Sequence, residues 1–250
     1  MNPRRFRFGQ HSLASQQSAK LLADRASLRP EDTVFEIGTG HGMVTRELAL
    51  RVSFVRTHEL DDALCEEAAG WLPRLSNVEL VRGDALKHDA GGFDAVVSSL
   101  PYYISSRFIT WFCAQKTPRA AVILQKEFVD KLLARPGSAK YGPYSVVVDA
   151  CFQATPLDVL PPAAFDPRPK VFSQIMSLHR KREMADAAPT VQALKTLFSF
   201  RGKTVGAAIK HLSKRGSNMP QEGFDRAARV AELEPPDALR LAISIRDGAA

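Results

Sequence analysis

Between residues 33 and 125, short β-rich runs alternate with stretches of helical spacing. This alternation constrains the fold more than any other feature of the chain. The runs TVFEI (33–37), FVRTH (54–58), NVELV (77–81), DAVVS (94–98) and RAAVIL (119–124) are separated by MVTRELAL, DALCEEAAGWL and SSRFITWFCA. In the latter the apolar residues recur every three or four positions, the period of an amphipathic helix. Strands that return through helices pair in parallel, with helices on both faces of the sheet. QKEFVDKLLA reads as one more helix. SVVVDACF (145–152) and VFSQIMSL (171–178) read as two strands pairing antiparallel at the sheet edge, joined by LPPAAFDPRPK, too proline-rich for a helix. After HRKREMADAAP the pattern is helical: TVQALKTLFSF, KTVGAAIKHLSKR, EGFDRAARVAEL and PPDALRLAISI. The expected organisation is an α/β domain over residues 1–185 and a small all-helical domain over 186–250.

A chain of 250 residues, 45% hydrophobic, buries enough apolar surface to need no staples. Cys65, Cys113 and Cys151 form no CxxC pair, which argues against a disulfide framework or a zinc site and for a reducing compartment. No run approaches the roughly 18 apolar residues of a membrane span, and the basic start MNPRRFRFGQHS lacks the apolar core of a signal peptide. The expected location is the cytoplasm. The formal net charge is +7. Two stretches carry the excess without a single acid: residues 1–23 with Arg4, Arg5, Arg7 and Lys20, and residues 190–215 with Lys195, Arg201, Lys203, Lys210, Lys214 and Arg215. Cationic charge gathered in this way suits a polyanion, most commonly nucleic acid, although basic faces also serve solubility alone.

Chemistry concentrates at the carboxyl ends of the expected strands, where open parallel sheets bind ligands. After the first strand comes EIGTGHG, with Glu36, Gly38, Gly40 and Gly42. Glycines there let a ligand approach the backbone closely and permit φ > 0, and the following helix offers free N–H groups. The dinucleotide fingerprint needs a glycine where Met43 stands, so the turn is a GxGxG. Glu59 ends the second strand, placed to accept hydrogen bonds from ribose hydroxyls. Asp84, in GDAL after the third, is placed to accept from an adenine amino group. The set fits S-adenosylmethionine better than NAD, which spacing alone leaves open.

The fourth strand ends in SSLPYYISS (98–106). Ser99-Leu100-Pro101-Tyr102 matches the (Asn/Asp/Ser)-x-Pro-(Tyr/Phe) pattern of enzymes that methylate exocyclic amines. An adenine N6 is a poor nucleophile because its lone pair is delocalised into the ring. Acceptors that hold the NH₂ group, the side chain at 99 and the Leu100 carbonyl, favour a more pyramidal nitrogen. Pro101 fixes the turn, and Tyr102 offers a face on which a base can stack. A base within a helix is out of reach, so the target must be looped out or flipped.

With these stretches in view, the chain resembles the small-subunit ribosomal RNA adenine N6,N6-dimethyltransferase family, in its archaeal and eukaryotic branch, over roughly residues 6 to 215. The resemblance rests on FGQHSL, EIGTGHG, HELD, GDAL, SLPYYISS, LQKEFVDKLLARPGSAKYGPYSV, PPAAFDPRPKVFS and FSFRGKTV. It implies a Rossmann-like seven-stranded S-adenosylmethionine-dependent methyltransferase sheet of the α/β class, with the small all-helical C-terminal domain docking RNA. It implies cofactor binding by His11, Leu13, Gly38, Gly40, Glu59, Leu60, Asp84, Ala85 and Ser99. Ser99 and Leu100 would hold the target amine, with Pro101 fixing the turn, and Tyr102 and Phe165 would sandwich the target adenine. Arg201 and Lys203 would contact phosphates. The implied partner is small-subunit rRNA or a pre-30S-type particle, met by a monomer with no metal and no membrane. Four departures stand out: Ser99 where the family has Asn, His11 where it has Asn, and Ser12 and Ser15 where it has Phe and Asp. They leave a second reading, a ribosome-assembly or RNA-binding factor that keeps the fold with weakened catalysis, and a third, a methyltransferase of other amino groups.

Overall fold

The computed structural model describes residues 11–214 and 222–248. Arg4, Arg5, Arg7 and Arg215 of the two basic stretches, and the first residues of FGQHSL, lie outside the described residues. The elements run, in chain order, β1 (Ser12–Leu13), α1 (Gln16–Arg25), β2 (Thr33–Ile37), α2 (Met43–Ala49), β3 (Phe54–Glu59), α3 (Asp62–Ala69), β4 (Val78–Arg82), β5 (Ala95–Ser99), α4 (Ser105–Cys113) and β6 (Arg119–Gln125). They continue with α5 (Lys126–Leu132), α6 (Pro143–Cys151), β7 (Phe152–Leu160), β8 (Phe165–Asp166), β9 (Ser173–Arg180), α7 (Ala187–Phe198), α8 (Val205–Ser213) and α9 (Pro235–Asp247).

The chain forms two compact units. The first comprises Met1–Phe108, Gln115–Val129 and Ala154–Arg180. Its seven-stranded sheet has the order β4-β3-β2-β5-β6-β9-β7. The pairs of β2 with β3 and β5, β3 with β4, and β5 with β6 are parallel, and β9 joins β6 antiparallel. The chain leaves β2 toward β3 and β4, then crosses back to β5 on the other side. The carboxyl end of β2 is therefore a topological switch point, where neighbouring connections diverge and leave a crevice. Val34, Phe35, Val55, Val96, Val97 and Ile123 are fully buried at the sheet's centre. Continuous apolar runs such as AVV and AAVIL are what a strand covered on both faces requires. Ser15 caps α1, its hydroxyl accepting from Ser18 N at 3.2 Å.

The second unit comprises Ile109–Ala114, Asp130–Gln153 and Lys181–Ala250. Here α6, α7 and α9 pack together, and the buried Tyr141 donates its hydroxyl to Leu233 O at 2.8 Å. The chain enters this unit for the last time at Lys181, and two earlier segments join it.

Two expectations are corrected. SVVVDACF is the helix α6 rather than a strand, and the strand is the following β7. Gly142 and Pro143 start the helix, Gly142 N donates to Ser145 Oγ at 3.2 Å, and Ser145 Oγ donates to Lys131 O at 2.6 Å. Val146, Val147, Val148 and Cys151 are all buried, so packing overrides the modest β preference of valine. EGFDRAARVAEL is not a helix either; it contains a single 3₁₀ turn at Val230–Glu232. Its backbone is engaged elsewhere: Val205 N and Gly206 N donate to Ala228 O and Arg226 O, and Val230 N donates to Lys203 O. Groups committed to that bridge are lost to an i to i+4 ladder.

Candidate active site

The glycine turn after β2 takes a conformation that side chains resist. Gly38, Gly40 and Gly42 have φ of +83°, +54° and +76°. Gly38 N and Thr39 N both donate to His58 O, at 2.8 and 3.2 Å, which ties the turn to the end of β3. A Cβ on Gly38 or Gly40 would meet nothing within 4 Å. The turn thus faces open space through bare backbone. Gly42 differs: a Cβ there would lie 2.3 Å from Trp71 Cζ2.

Two acids flank the turn with opposite behaviour. Glu59 is nearly buried and acts as a clamp. Its Oε2 accepts from Gly40 N at 2.9 Å, and its Oε1 accepts from Leu60 N at 2.8 Å and Asp61 N at 2.9 Å. Glu36 is wholly buried and accepts from Thr45 Oγ1 at 2.7 Å. Burial pushes its carboxyl up to about 8, against the pull of the Thr57 and Thr45 hydroxyls. Asp84 caps the 3₁₀ turn Ala85–Lys87 through Leu86 N at 3.1 Å, and its other oxygen takes Arg107 Nη2 at 3.0 Å. Partial burial would raise the Asp84 carboxyl, but the Arg107 and Leu86 hydrogen bonds and nearby cations hold it below the usual range.

The end of β5 is locked to its neighbour. Ser98, fully buried, donates to Ile37 O at 2.5 Å. That leaves Ser99, the next residue, facing the crevice. Leu100 is buried; Pro101 N-caps the 3₁₀ turn Tyr102–Ile104 with φ −56° and accepts from Ile104 N at 3.1 Å. The Tyr102 hydroxyl lies 2.6 Å from Ser173 Oγ. The Tyr102 ring centroid is 5.3 Å from that of His11, whose Nδ1 donates to Pro167 O at 2.6 Å.

One cavity gathers His11, Leu13, Gly38, Gly40, Glu59, Ser99 and Pro101. Leu60, Asp84, Ala85, Leu100, Tyr102 and Phe165 are outside its lining. Phe165 is 3% exposed, opposite Leu13 in the β1–β8 pair, so its ring offers little free face. Thr39, His41, Val44 and Leu64 line the cavity without having been singled out from sequence, and Ser12 and Met43, noted there only as departures from a pattern, line it too. Ser173, which holds Tyr102, was legible only as the last letter of the stretch PPAAFDPRPKVFS. In the second unit Arg201 donates to Ala139 O and Ser138 O, at 3.0 and 3.3 Å, while Lys203 is exposed. Among the described residues, no group of three His, Cys, Asp or Glu could hold a metal ion, and no helix is long and apolar enough to cross a membrane.

A glycine turn open to ligand, an acid clamping it, and a Ser-Leu-Pro-Tyr turn at the adjacent strand end define an S-adenosylmethionine-dependent methyltransferase of the Rossmann-like class. The model of the family described as ribosomal RNA adenine dimethylase matches residues 1–247, and the chain belongs to that family. It is 32% identical to a probable ribosomal RNA small subunit methyltransferase A of Thermococcus gammatolerans, over 96% of this chain and 88% of that one. It is 36% identical to the protein of the same name in Pyrobaculum aerophilum, over 81% of this chain and 87% of that one. Among solved structures, a Plasmodium falciparum dimethyladenosine transferase shares the fold with a TM-score of 0.78 at 24% identity, covering 96% of this chain and 98% of that one. The 23S rRNA methyltransferase ErmE aligns with a TM-score of 0.66 at 26% identity, covering 93% of this chain and 98% of that one.

Proposed function

We propose that the protein methylates N6 of adenines, twice each, in a hairpin loop of small-subunit rRNA, acting as a cytoplasmic monomer on the RNA or on a pre-30S-type particle. The observation that carries this reading is the convergence of Ser99, Pro101, Glu59 and the open glycines on one cavity. The small-subunit assignment draws on the names of the archaeal relatives.

S-adenosylmethionine, when bound, supplies an electrophilic methyl group. In this reading Gly38 and Gly40 let its methionine end approach the backbone. Glu59 has one acceptor position left after three amide contacts, and offers it to a ribose hydroxyl. Asp84 and Ala85 hold the cofactor's adenine, with Leu60, His11 and Leu13 closing the pocket. Ser99 Oγ and the Leu100 carbonyl accept from the two hydrogens of the target N6. Those contacts are strongest when the nitrogen is pyramidal, so they favour the transition state over the ground state. Tyr102, steadied by Ser173, stacks on the extruded base, while Phe165, buried and paired with Leu13, supports the site without offering a free face. Positioning and electrostatics do the catalytic work, with no covalent intermediate. The helical unit docks RNA through its cations, with Arg201 and Lys203 at phosphates.

Mass spectrometry of small-subunit rRNA from cells with and without the protein, paired with methyl transfer from labelled cofactor to immature small subunits, tests the proposal. N6,N6-dimethyladenine that vanishes without the protein supports it. Tight RNA binding with no transfer would leave only the assembly-factor reading.

A further inference from the structure

An exposed phenylalanine alone says little, because much of any protein surface is apolar. Phe172 is 53% exposed, and three observations give it a direction. First, exposure alternates along the chain: Arg168, Lys170 and Phe172 are exposed, while Pro169 and Ser173 are buried. The segment lies between β8 and β9 and bends at Lys170 and Val171, and Pro167 and Pro169 stiffen its first part, so the three exposed side chains follow one another along one short surface stretch. Second, the ring is mounted on the sheet. Lys126 N donates to Phe172 O at 2.9 Å, and Ser173 pairs with Gln125 at the carboxyl end of β6. Third, the next residue, Ser173, holds the Tyr102 hydroxyl at 2.6 Å. Ser99 pairs with Ile123 of β6, so two strand spacings and a few residues of rise place Phe172 roughly 10–15 Å from Ser99.

We propose that Arg168, Lys170 and Phe172 form a docking strip for single-stranded RNA next to the target adenine. This rests on the reading of the protein as an rRNA methyltransferase and adds a binding surface to it. The phenyl ring stacks on a base flanking the target, and the two cations meet phosphates. A flat hydrocarbon face suits any base, and cations interleaved with it suit the alternating base and phosphate of a single strand. Asp166, the exposed acid before the strip, is held by its backbone opposite Ser12 in the β1–β8 pair. The strip also explains how a base could stay extruded: stacking its neighbour offsets part of the lost stacking within the loop.

The test uses the full chain and a loop RNA carrying 2-aminopurine beside the target adenine. Binding quenches the fluorophore in the wild type. Phe172→Ala loses the quenching and raises the RNA Kd about tenfold, while Phe172→Trp restores both. An unchanged Kd for S-adenosylmethionine shows that Phe172→Ala is folded. Replacing Arg168 and Lys170 together by Ala lowers the slope of log Kd against log salt by about 1.4. Unchanged quenching and Kd in Phe172→Ala, in a protein that still methylates rRNA, overturns the strip and leaves the proposed function standing. A Phe172→Ala protein altered only in self-association also overturns it, since the ring then belongs to a protein contact. Quenching that depends on Phe172 in a chain that transfers no methyl supports the strip and counts against the proposed reaction.

Discussion

The amide of Gly40 donates to Glu59 Oε2 at 2.9 Å, so the acid at the end of β3 clamps the turn that faces the open cavity. The same carboxylate takes Leu60 N and Asp61 N on its other oxygen. Glu59→Gln turns an NH₂ group toward one of these donors, and two donors then face each other without an acceptor. Hydrogen bonds to charged groups are worth about 1.5–3 kcal/mol each. The expected outcome is a ten- to hundredfold rise, roughly, in the Kd for S-adenosylmethionine and a lower Tm. Calorimetric titration and thermal unfolding check both, and unchanged values in each would remove Glu59 from the clamp and from the cofactor.

The glycines of the turn are separable by their surroundings. Gly42→Ala forces a methyl group into the Trp71 ring, 2.3 Å from Cζ2, at φ +76°. Gly38→Ala carries only the left-handed backbone strain, about 1–2 kcal/mol, because nothing lies within 4 Å of its Cβ. Chemical denaturation is expected to show Gly42→Ala as the less stable of the two. Gly38→Ala is expected to lose cofactor affinity out of proportion to its stability, since the new methyl occupies space proposed for the ligand. If Gly38→Ala binds cofactor normally, the proposed approach of the methionine end is wrong.

The sheet was legible because strands and helices have different periods, and β2 to β6 alternate with α2 to α4 at every step but β4 to β5, which a 3₁₀ turn joins. The placement of Gly38, Glu59 and Ser99 at one edge followed from that order alone. What was not legible depended on contacts distant in sequence. Val146 to Val148 read as a strand because valine prefers β structure, and only burial among the helices of the second unit makes α6 a helix. The segment at 222–233 has helical composition, but its carbonyls at Arg226 and Ala228 are claimed by residues 205 and 206. Ser173 as the anchor of Tyr102 lies 71 residues away, beyond any local pattern. Glu36 was visible as a letter in EIGTGHG, but its protonation state follows from burial.

That burial gives the fold a pH dependence of definite sign. The Glu36 carboxyl is raised from 4.5 to about 8, chiefly by desolvation. Below 4.5 it is neutral in both folded and unfolded chains and costs nothing. As pH rises through the window between 4.5 and about 8, the unfolded chain ionises while the folded one does not, so this group's contribution falls; above it the loss is complete. The loss is of order 3–5 kcal/mol. Glu36→Gln keeps the shape and removes the titration. Its stability relative to the wild type is expected to rise from pH 5 to pH 8, as read from urea unfolding at several pH values. A difference that stays flat with pH would mean that Glu36 is ionised in the fold.

Ser99 is the last test, because it separates a role at the target amine from one at the cofactor. It lines the cavity with the glycines, but as the end residue of β5 it also begins the turn carrying Leu100 and Tyr102. If its hydroxyl accepts from the target N6, Ser99→Ala removes a contact strengthened in the transition state. The expected outcome is a kcat lower by about ten- to a hundredfold, with the Kd for S-adenosylmethionine little changed. A serine hydroxyl reaches less far than an asparagine carboxamide by one carbonyl group. The second methylation, on a bulkier nitrogen, is therefore expected to be the slow one, and Ser99→Asn is expected to speed it. Single-turnover reactions resolved by mass spectrometry into mono- and dimethylated adenine measure each step. Equal losses of kcat and cofactor affinity in Ser99→Ala would assign the hydroxyl to the cofactor instead, and an unchanged second step in Ser99→Asn would show that its reach does not set the rate.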